Sequence, residues 1–287
     1  MEIFIQLTIN SIIAGSIYAL IALGFNLIFG VSKFFDLGYG TMAVVGGYSV
    51  LYFGKMLGWN IFLSILIGVI LAGLIGFLIN KFIYQTLRQR KASNLVLIIA
   101  SLGVFTVIQA VTAMLFSSQF QTLSQNIGQN TYNIFGGIIT QIQLIILMFT
   151  IVIMLALAWM MKKTMFGKAI KAVGDDEEVA KIVGIDTNKI IAYVFFIGSA
   201  IAGLAGILIG FDTGLEPIMG MKLILKGVVA SIIGGVGNVY GGVAGAFFLG
   251  FIENFGIWKL SGEWREAIAF VVLILFLLFR PRGIFKK

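Results

Sequence analysis

The sequence predicts an all-α, polytopic membrane protein of about nine transmembrane helices (eight to ten), some of them broken or re-entrant. Three observations carry this. Of 287 residues, 60% are hydrophobic and 11% charged, whereas a soluble domain carries about 25% charged residues. Uncharged runs long enough to cross ~30 Å of hydrocarbon, which takes ~20 helical residues, dominate the chain. Several of these runs are interrupted by glycine clusters rather than by charge. Too few charged side chains remain to cover a soluble surface, the chain is too apolar for disorder, and 36 Gly with only 2 Pro and no triplet period exclude collagen. There is no cysteine, so no thiolate metal site, and no histidine, which removes the commonest general base and proton relay.

The elements follow in order. Run 3–32 reads as a retained first helix: Glu2 is its only early charge, no basic leader segment precedes it, and no small-residue cleavage site comes before Gly15. Runs 37–54 and 56–80 are single spans. Run 92–161 is too long for one helix and is split by the polar stretch Ser117 to Asn133. Run 190–211 is a span, and the stretch Met221 to Trp258 is divided by Gly234, Gly235, Gly237, Asn238, Gly241 and Gly242. The last run, 267–279, gains length from Trp264 and Arg280 as interfacial ends. Together they form a single transmembrane domain, 1–287.

With nine crossings and an outside N-terminus, the inner segments are 31–36, 81–93, 162–189, 237–240 and 280–287, and they hold fifteen of the twenty Lys and Arg. That bias places the C-terminus in the cytoplasm. It also accounts for the net charge of +8 without a nucleic-acid partner. The outer segments hold Lys55, Lys222, Lys226, Lys259 and Arg265.

Small residues recur every four positions at Gly198, Ala202, Gly206 and Gly210, at Gly68, Ala72 and Gly76, and at Gly242, Ala246 and Gly250. Such stripes let backbones approach closely in lipid; close packing inside one bundle is the ordinary reading, a dimer contact the sharper one. Two glycine-broken segments lie in the two halves: Gly30 to Gly40, and Gly210 to Gly220 with the cluster 234–242. Discontinuous helices in corresponding positions point to a transporter's substrate path, although tight turns at the membrane surface would look the same. The candidate path residues are Asn26, Asp36, Tyr39, Gly40, Gly235, Gly237 and Asn238. Asp36 has Lys33 at i−3. Glu253 is the clearest acid at depth, facing either a partner or the outer headgroups with Lys259 as neighbour, the latter being the reading preferred.

The inner loop 162–189 balances six lysines with five acids, Asp175, Asp176, Glu177, Glu178 and Asp186. It reads as two short helices. Lys168 to Val173 forms the first, ended by Gly174; Asp175 caps the second, with Glu178 at its third position and Gly184 as its stop. Val179, Ala180, Ile182 and Val183 give the second helix an apolar side suited to docking a protein or to lying on lipid. No phosphate loop, dinucleotide fingerprint, carboxylate pair or catalytic triad survives inspection, so any ATPase driving this chain is another polypeptide.

These residues carry a resemblance. Gly167 to Asp186 (GKAIKAVGDDEEVAKIVGID), Gly220 to Glu253, the terminal RPRGIF from Arg280, and Gly15 to Val31 (GSIYALIALGFNLIFGV) together resemble the smaller permease subunit of branched-chain amino acid ABC importers. The resemblance implies two related halves, no activity or cofactor of the chain's own, and ATP and Mg bound by two cytoplasmic ATPases. It further implies a second permease subunit (a heterodimer, or else a homodimer), an extracytoplasmic solute-binding protein, and multi-pass residence in a prokaryotic plasma (inner) membrane. The ATPase-coupling residues would be Gly167, Ala169, Ala172, Asp175, Asp176, Glu178, Ala180, Gly184 and Ile185. Asp212 and Glu216 would be outer docking contacts for the binding protein. The family's Asn-Phe-Ala-His-Gly run is here Asp36-Leu37-Gly38-Tyr39-Gly40, which sets urea or short amides beside leucine, isoleucine and valine as substrates. An ion-coupled transporter or channel is the competing class, and a purely structural factor explains neither the breaks nor the capped loop.

Overall fold

The computed structural model describes residues 2–124, 130–134, 136–258, 261–280 and 283–285. Helix α1 (Glu2–Ser32) is followed by α2 (Tyr39–Val50), which is prolonged by a π-helical turn, Leu51–Met56. Helix α3 (Ile61–Ile79) continues through a second π turn, Asn80–Tyr84, into α4 (Gln85–Gln89), and α5 (Asn94–Phe116) returns. Then come β1 (Thr131–Ile134), β2 (Gly137–Thr140), α6 (Gln141–Lys163), α7 (Met165–Asp175), α8 (Glu177–Ile182) and α9 (Thr187–Asp212). The chain ends with α10 (Met219–Gly234), α11 (Val239–Gly256) and α12 (Trp264–Phe279).

Among the described residues five segments are long and apolar enough to span a bilayer: α1, α3–α4, α5, α6 and α9. Helices α10 and α11 meet at 112°, so the glycine-cut stretch is one broken span or re-entrant hairpin. Helix α2 with its π turn and the shorter α12 complete the helices anticipated from the sequence.

Helix α1 is the axis of the molecule. It is apolar on every side, and a helix of that kind belongs in the interior; residues from Ala19 to Ile28 are buried without interruption. By contrast α3, α5, α6 and α12 each leave a face of large apolar side chains exposed, including Phe62, Met114, Trp159 and Phe279. In a membrane protein that face meets lipid.

The small-residue stripes pack within the chain. Gly206 and Gly198 of the α9 stripe lie against Ala43 of α2 and against Gly24 and Ile28 of α1, while Ala72 and Gly76 of the α3 stripe meet Gly203 and Ser199 on another side of α9. Gly242 and Gly250 of α11 similarly admit Asn26 and the Ser11–Gly15 turn of α1.

The polar stretch after α5 contains more structure than its composition indicates. Strands β1 and β2 form an antiparallel hairpin turned at Gly136, whose φ is +89°. Gln6 of α1 fastens it: the side-chain amide donates to the Ile138 carbonyl at 3.1 Å and accepts from the Ile138 amide at 2.8 Å. Thr140 and Gln143 then close a capping box that starts α6.

A packing test follows from two glycines. A Cβ at Gly206 would overlap the Ala43 backbone, whereas one at Gly103 would meet nothing within 4 Å. Gly206→Val is expected to destabilise the detergent-solubilised protein by ~1–3 kcal/mol, seen as a lower thermal midpoint, while Gly103→Ala, in the open interior of α5, leaves the midpoint the same or raises it.

Candidate translocation and coupling sites

Breaking a helix frees backbone groups that lipid cannot satisfy. At the α10–α11 break, Gly235 and Gly237 take φ of +109° and +81°, a region open chiefly to glycine. Asn238 caps α11, its side-chain oxygen accepting from the Tyr240 and Gly241 amides at 3.1 Å each. The fully buried Asn26 of α1 completes the apex, accepting from the Gly237 amide at 2.8 Å and donating to Ser231 Oγ at 2.9 Å. The C-terminal tail supplies the rest: the Ile284 and Phe285 amides donate to the carbonyls of Ile233 and Gly234 at 2.8 and 3.1 Å. Four anticipated path residues, Asn26, Gly235, Gly237 and Asn238, thus form one cluster; of the terminal RPRGIF, residues 281–282 lie outside the described residues.

Asp36, Tyr39 and Gly40 form a second cluster. Tyr84 donates its hydroxyl to Asp36 Oδ1 at 2.7 Å, so a phenol on the second π turn holds this carboxylate. Tyr39 donates to the Ile21 carbonyl of α1 at 3.1 Å, and Gly40 lies against Gly220 and Ile224 of α10. Asp36 is buried, and the space beside it is about 10 Å³, no more than a single water needs.

Glu253 differs from the expectation of a headgroup neighbour. It is fully buried, its Oε1 is 2.5 Å from Lys226 Nζ, and Tyr18 donates to its Oε2 at 2.7 Å. Lys226, counted among the outer bases, is therefore an interior residue of α10; Lys259 lies outside the described residues. Burying both members of a pair offsets most of the desolvation cost that a lone charge would carry. No signal on α11 itself identifies the partner, because it sits across the hairpin, 27 residues away.

Asp212 is half-buried. It lines a cavity of about 290 Å³ between α1, α9 and α10 and is held by Gln143 Nε2 at 3.3 Å. Glu216 is more exposed and lies 3.8 Å from Lys222.

The segment 162–189 folds as two helices, displaced from the expectation. Helix α7 runs through Gly174 to Asp175, because Gly174 packs against the Gly30 carbonyl of α1 and is needed for close approach rather than as a breaker. The cap of α8 is Asp176, not Asp175; its Oδ1 accepts from the Glu178 and Val179 amides at 2.9 and 3.0 Å. Gly184, at φ +86°, ends α8 as anticipated, and Asp186 caps α9. Gly167 abuts Met160 and Met161 at the end of α6, and Ala180 is buried. Met165, Val179, Ile182 and Val183 remain exposed. Glu177, not singled out in the sequence, pairs with Arg88 of α4 and with Lys181 at 2.9 Å. Partial burial works against its ionisation, but the Lys181 hydrogen bond and the Arg88 charge outweigh this and hold its carboxyl below the usual range.

A buried helical bundle with a broken hairpin at its axis and a capped, partly apolar helix pair at one end defines a multi-pass membrane permease. Residues 7–277 match the family model described as the branched-chain amino acid transport system / permease component. The chain belongs to that family. It is 30% identical to the high-affinity branched-chain amino acid transport system permease protein LivH of Escherichia coli, over 99% of this chain and 96% of the relative. It is 28% identical to the corresponding permease protein BraD of Pseudomonas aeruginosa, again over 99% and 96%. A probable LivH permease of Methanocaldococcus jannaschii is 26% identical over 96% of this chain and 90% of the relative.

Two outcomes are expected. Lys226→Met alone strands a buried carboxylate and costs ~3–5 kcal/mol, whereas Lys226→Met with Glu253→Leu recovers most of the loss, as read by thermal unfolding in detergent. For Glu177, a carboxyl depressed in the folded state adds stability that is complete above its unfolded value, about 4.3, and is lost as pH falls through the folded one. A spin label at the exposed position Ile182→Cys should therefore gain mobility only in acid; with Glu177→Gln it should already show that higher mobility at pH 7.

Proposed function

We propose that this chain is the membrane-spanning permease subunit of an ATP-binding-cassette importer for branched-chain amino acids, in the inner membrane of a prokaryote. The observation that carries the reading is the α7–α8 pair. It lies between the α6 and α9 spans, is charge-balanced, is capped by Asp176, and presents exposed Met165, Val179, Ile182 and Val183. A loop that only marked the inner face would need basic residues alone. An apolar patch framed by balanced charge is what a docking ATPase would cover. On this reading the C-terminus is cytoplasmic and this chain has no ATPase site of its own. Its partners are a second permease subunit, two ATPases that bind ATP and Mg, and an extracytoplasmic solute-binding protein. The substrate class is that of the relatives, which are named as branched-chain amino acid permeases.

Two contacts would carry the motion inward. Gly174 of α7 touches Gly30 of α1, and Gly30 is the neighbour of Gly237 at the hairpin apex. Glu177 of α8 is tied to Arg88 on α4, which is continuous with the α3 span. A shift of α7–α8 by closing ATPases therefore acts on the apex and on α3 together. The packed interior resists continuous deformation, so such a shift switches the bundle between discrete arrangements. An ion-coupled transporter or channel is not favoured, since the family and its relatives are transport-system permeases.

Charge reversal at Asp176 and Glu178 removes the cap and inverts the docking face. In the assembled transporter, uptake should fall by about fivefold or more, the scale set by a cap worth ~1 kcal/mol, while ATP hydrolysis and membrane insertion persist. Undiminished uptake by Asp176→Lys with Glu178→Lys would remove α7–α8 from the mechanism.

A further inference from the structure

The cavity beside Asp212 has chemistry that the coupling segment and the hairpin apex do not use. Its volume, about 290 Å³, is close to the lower end of the ~300–1,000 Å³ typical of small-molecule sites. Asp212 at the end of α9 and Arg265 at the start of α12 both line it. Among the described residues neither forms an ion pair, and the hydrogen bond seen for the Asp212 carboxylate comes from the amide of Gln143. Arg265 is exposed and Asp212 half-buried, so water serves both charges in the free protein, and a solute carrying both signs matches them without breaking an existing ion pair.

The rest of the lining agrees. Ile13 and Ile17 of α1, Ile209 of α9 and Leu223 of α10 contribute an apolar wall. Tyr18 also lines the cavity, but its hydroxyl is committed to Glu253, so that ion pair lies beyond the ring and is already satisfied. The cavity opens at the end of the bundle opposite α7–α8. Helix α9 leaves α8 at Thr187 and meets the cavity at Ile209 and Asp212, near the far end of its 26 residues, a helix about 39 Å long.

We propose that this cavity is an entry site for a zwitterionic aliphatic amino acid: Asp212 accepts from its ammonium group, Arg265 donates to its carboxylate, and the four aliphatic side chains cover its branched side chain. The proposal rests on the importer reading above and specifies how its substrate is read. An uncharged solute such as urea gains nothing from either charge, and a solute with only one leaves the other charge in the cavity unmatched.

The test uses the complete transporter in proteoliposomes with L-leucine, L-leucinamide (no carboxylate), 4-methylpentanoate (no amine) and urea. The wild type should favour leucine over all three. Arg265→Gln should raise the leucine KM about tenfold or more and narrow the preference over leucinamide; Asp212→Asn should do the same against 4-methylpentanoate. Arg265→Lys and Asp212→Glu should restore part of the affinity, which a merely structural role would not produce. Because the chain has no native cysteine, Thr213→Cys on the cavity wall gives a second readout that needs neither charge variant to fold. Leucine should slow its maleimide labelling severalfold, and the three analogues should not. Unchanged KM and selectivity in both charge variants, or labelling indifferent to leucine, would overturn the site while leaving the importer reading intact. Failure of the wild type to take up any aliphatic amino acid would overturn both.

Discussion

The architecture depends on one constraint: a backbone amide or carbonyl released inside a membrane protein must find a partner within the protein. The chain releases several at residues 234–238, in the middle of a stretch otherwise apolar enough to run straight through. Three separate pieces of sequence meet that demand. Asn238 caps the second arm, Asn26 bridges from α1, and the tail at 283–285 pairs with the last carbonyls of the first arm. The break is therefore a built joint whose integrity requires the first helix and the final residues to be in place together.

Helix α1 follows from the same demand. It supplies Asn26 to the apex, the Gly30 carbonyl to α7, the Ile21 carbonyl to Tyr39, and Tyr18 to the Lys226–Glu253 pair. A helix lined with glycine and alanine is what allows four neighbours to come so near. In consequence the coupling segment at one end and the Asp212 cavity at the other are joined through a single rigid element. On the proposed reading, a push on α7 would be felt along that element.

Much of this was legible in the residues. Composition and run length gave the helical membrane class, and small-xxx-small spacing marked the contacts that close the bundle. The glycine cluster marked the joint, and Gly184 marked the end of α8. The parts that were not legible share a cause: each depends on a partner distant in sequence. The cap of α8 falls at Asp176 because α7 continues through Gly174, and it continues because Gly30 offers a carbonyl close enough to exclude a side chain. Lys226 was assigned to the outside as charge usually is, yet Glu253 folds back over it. Asp36 has a phenol from a π turn that no periodicity reveals. The β-hairpin after α5 is held by Gln6, more than 130 residues earlier, and the cavity joins residues from six helices.

The central claim is that ATP hydrolysed by partner subunits, transmitted through α7–α8, drives solute through this bundle. It is tested most directly by measuring radiolabelled L-leucine uptake into proteoliposomes that contain this chain with its partner permease, ATPases and binding protein. ATP is placed on the α7–α8 side, and ion gradients are collapsed by ionophores. The account predicts uptake that requires ATP and the binding protein and is indifferent to the ionophores. Uptake that proceeds without ATP and disappears when the ion gradients are collapsed would contradict it.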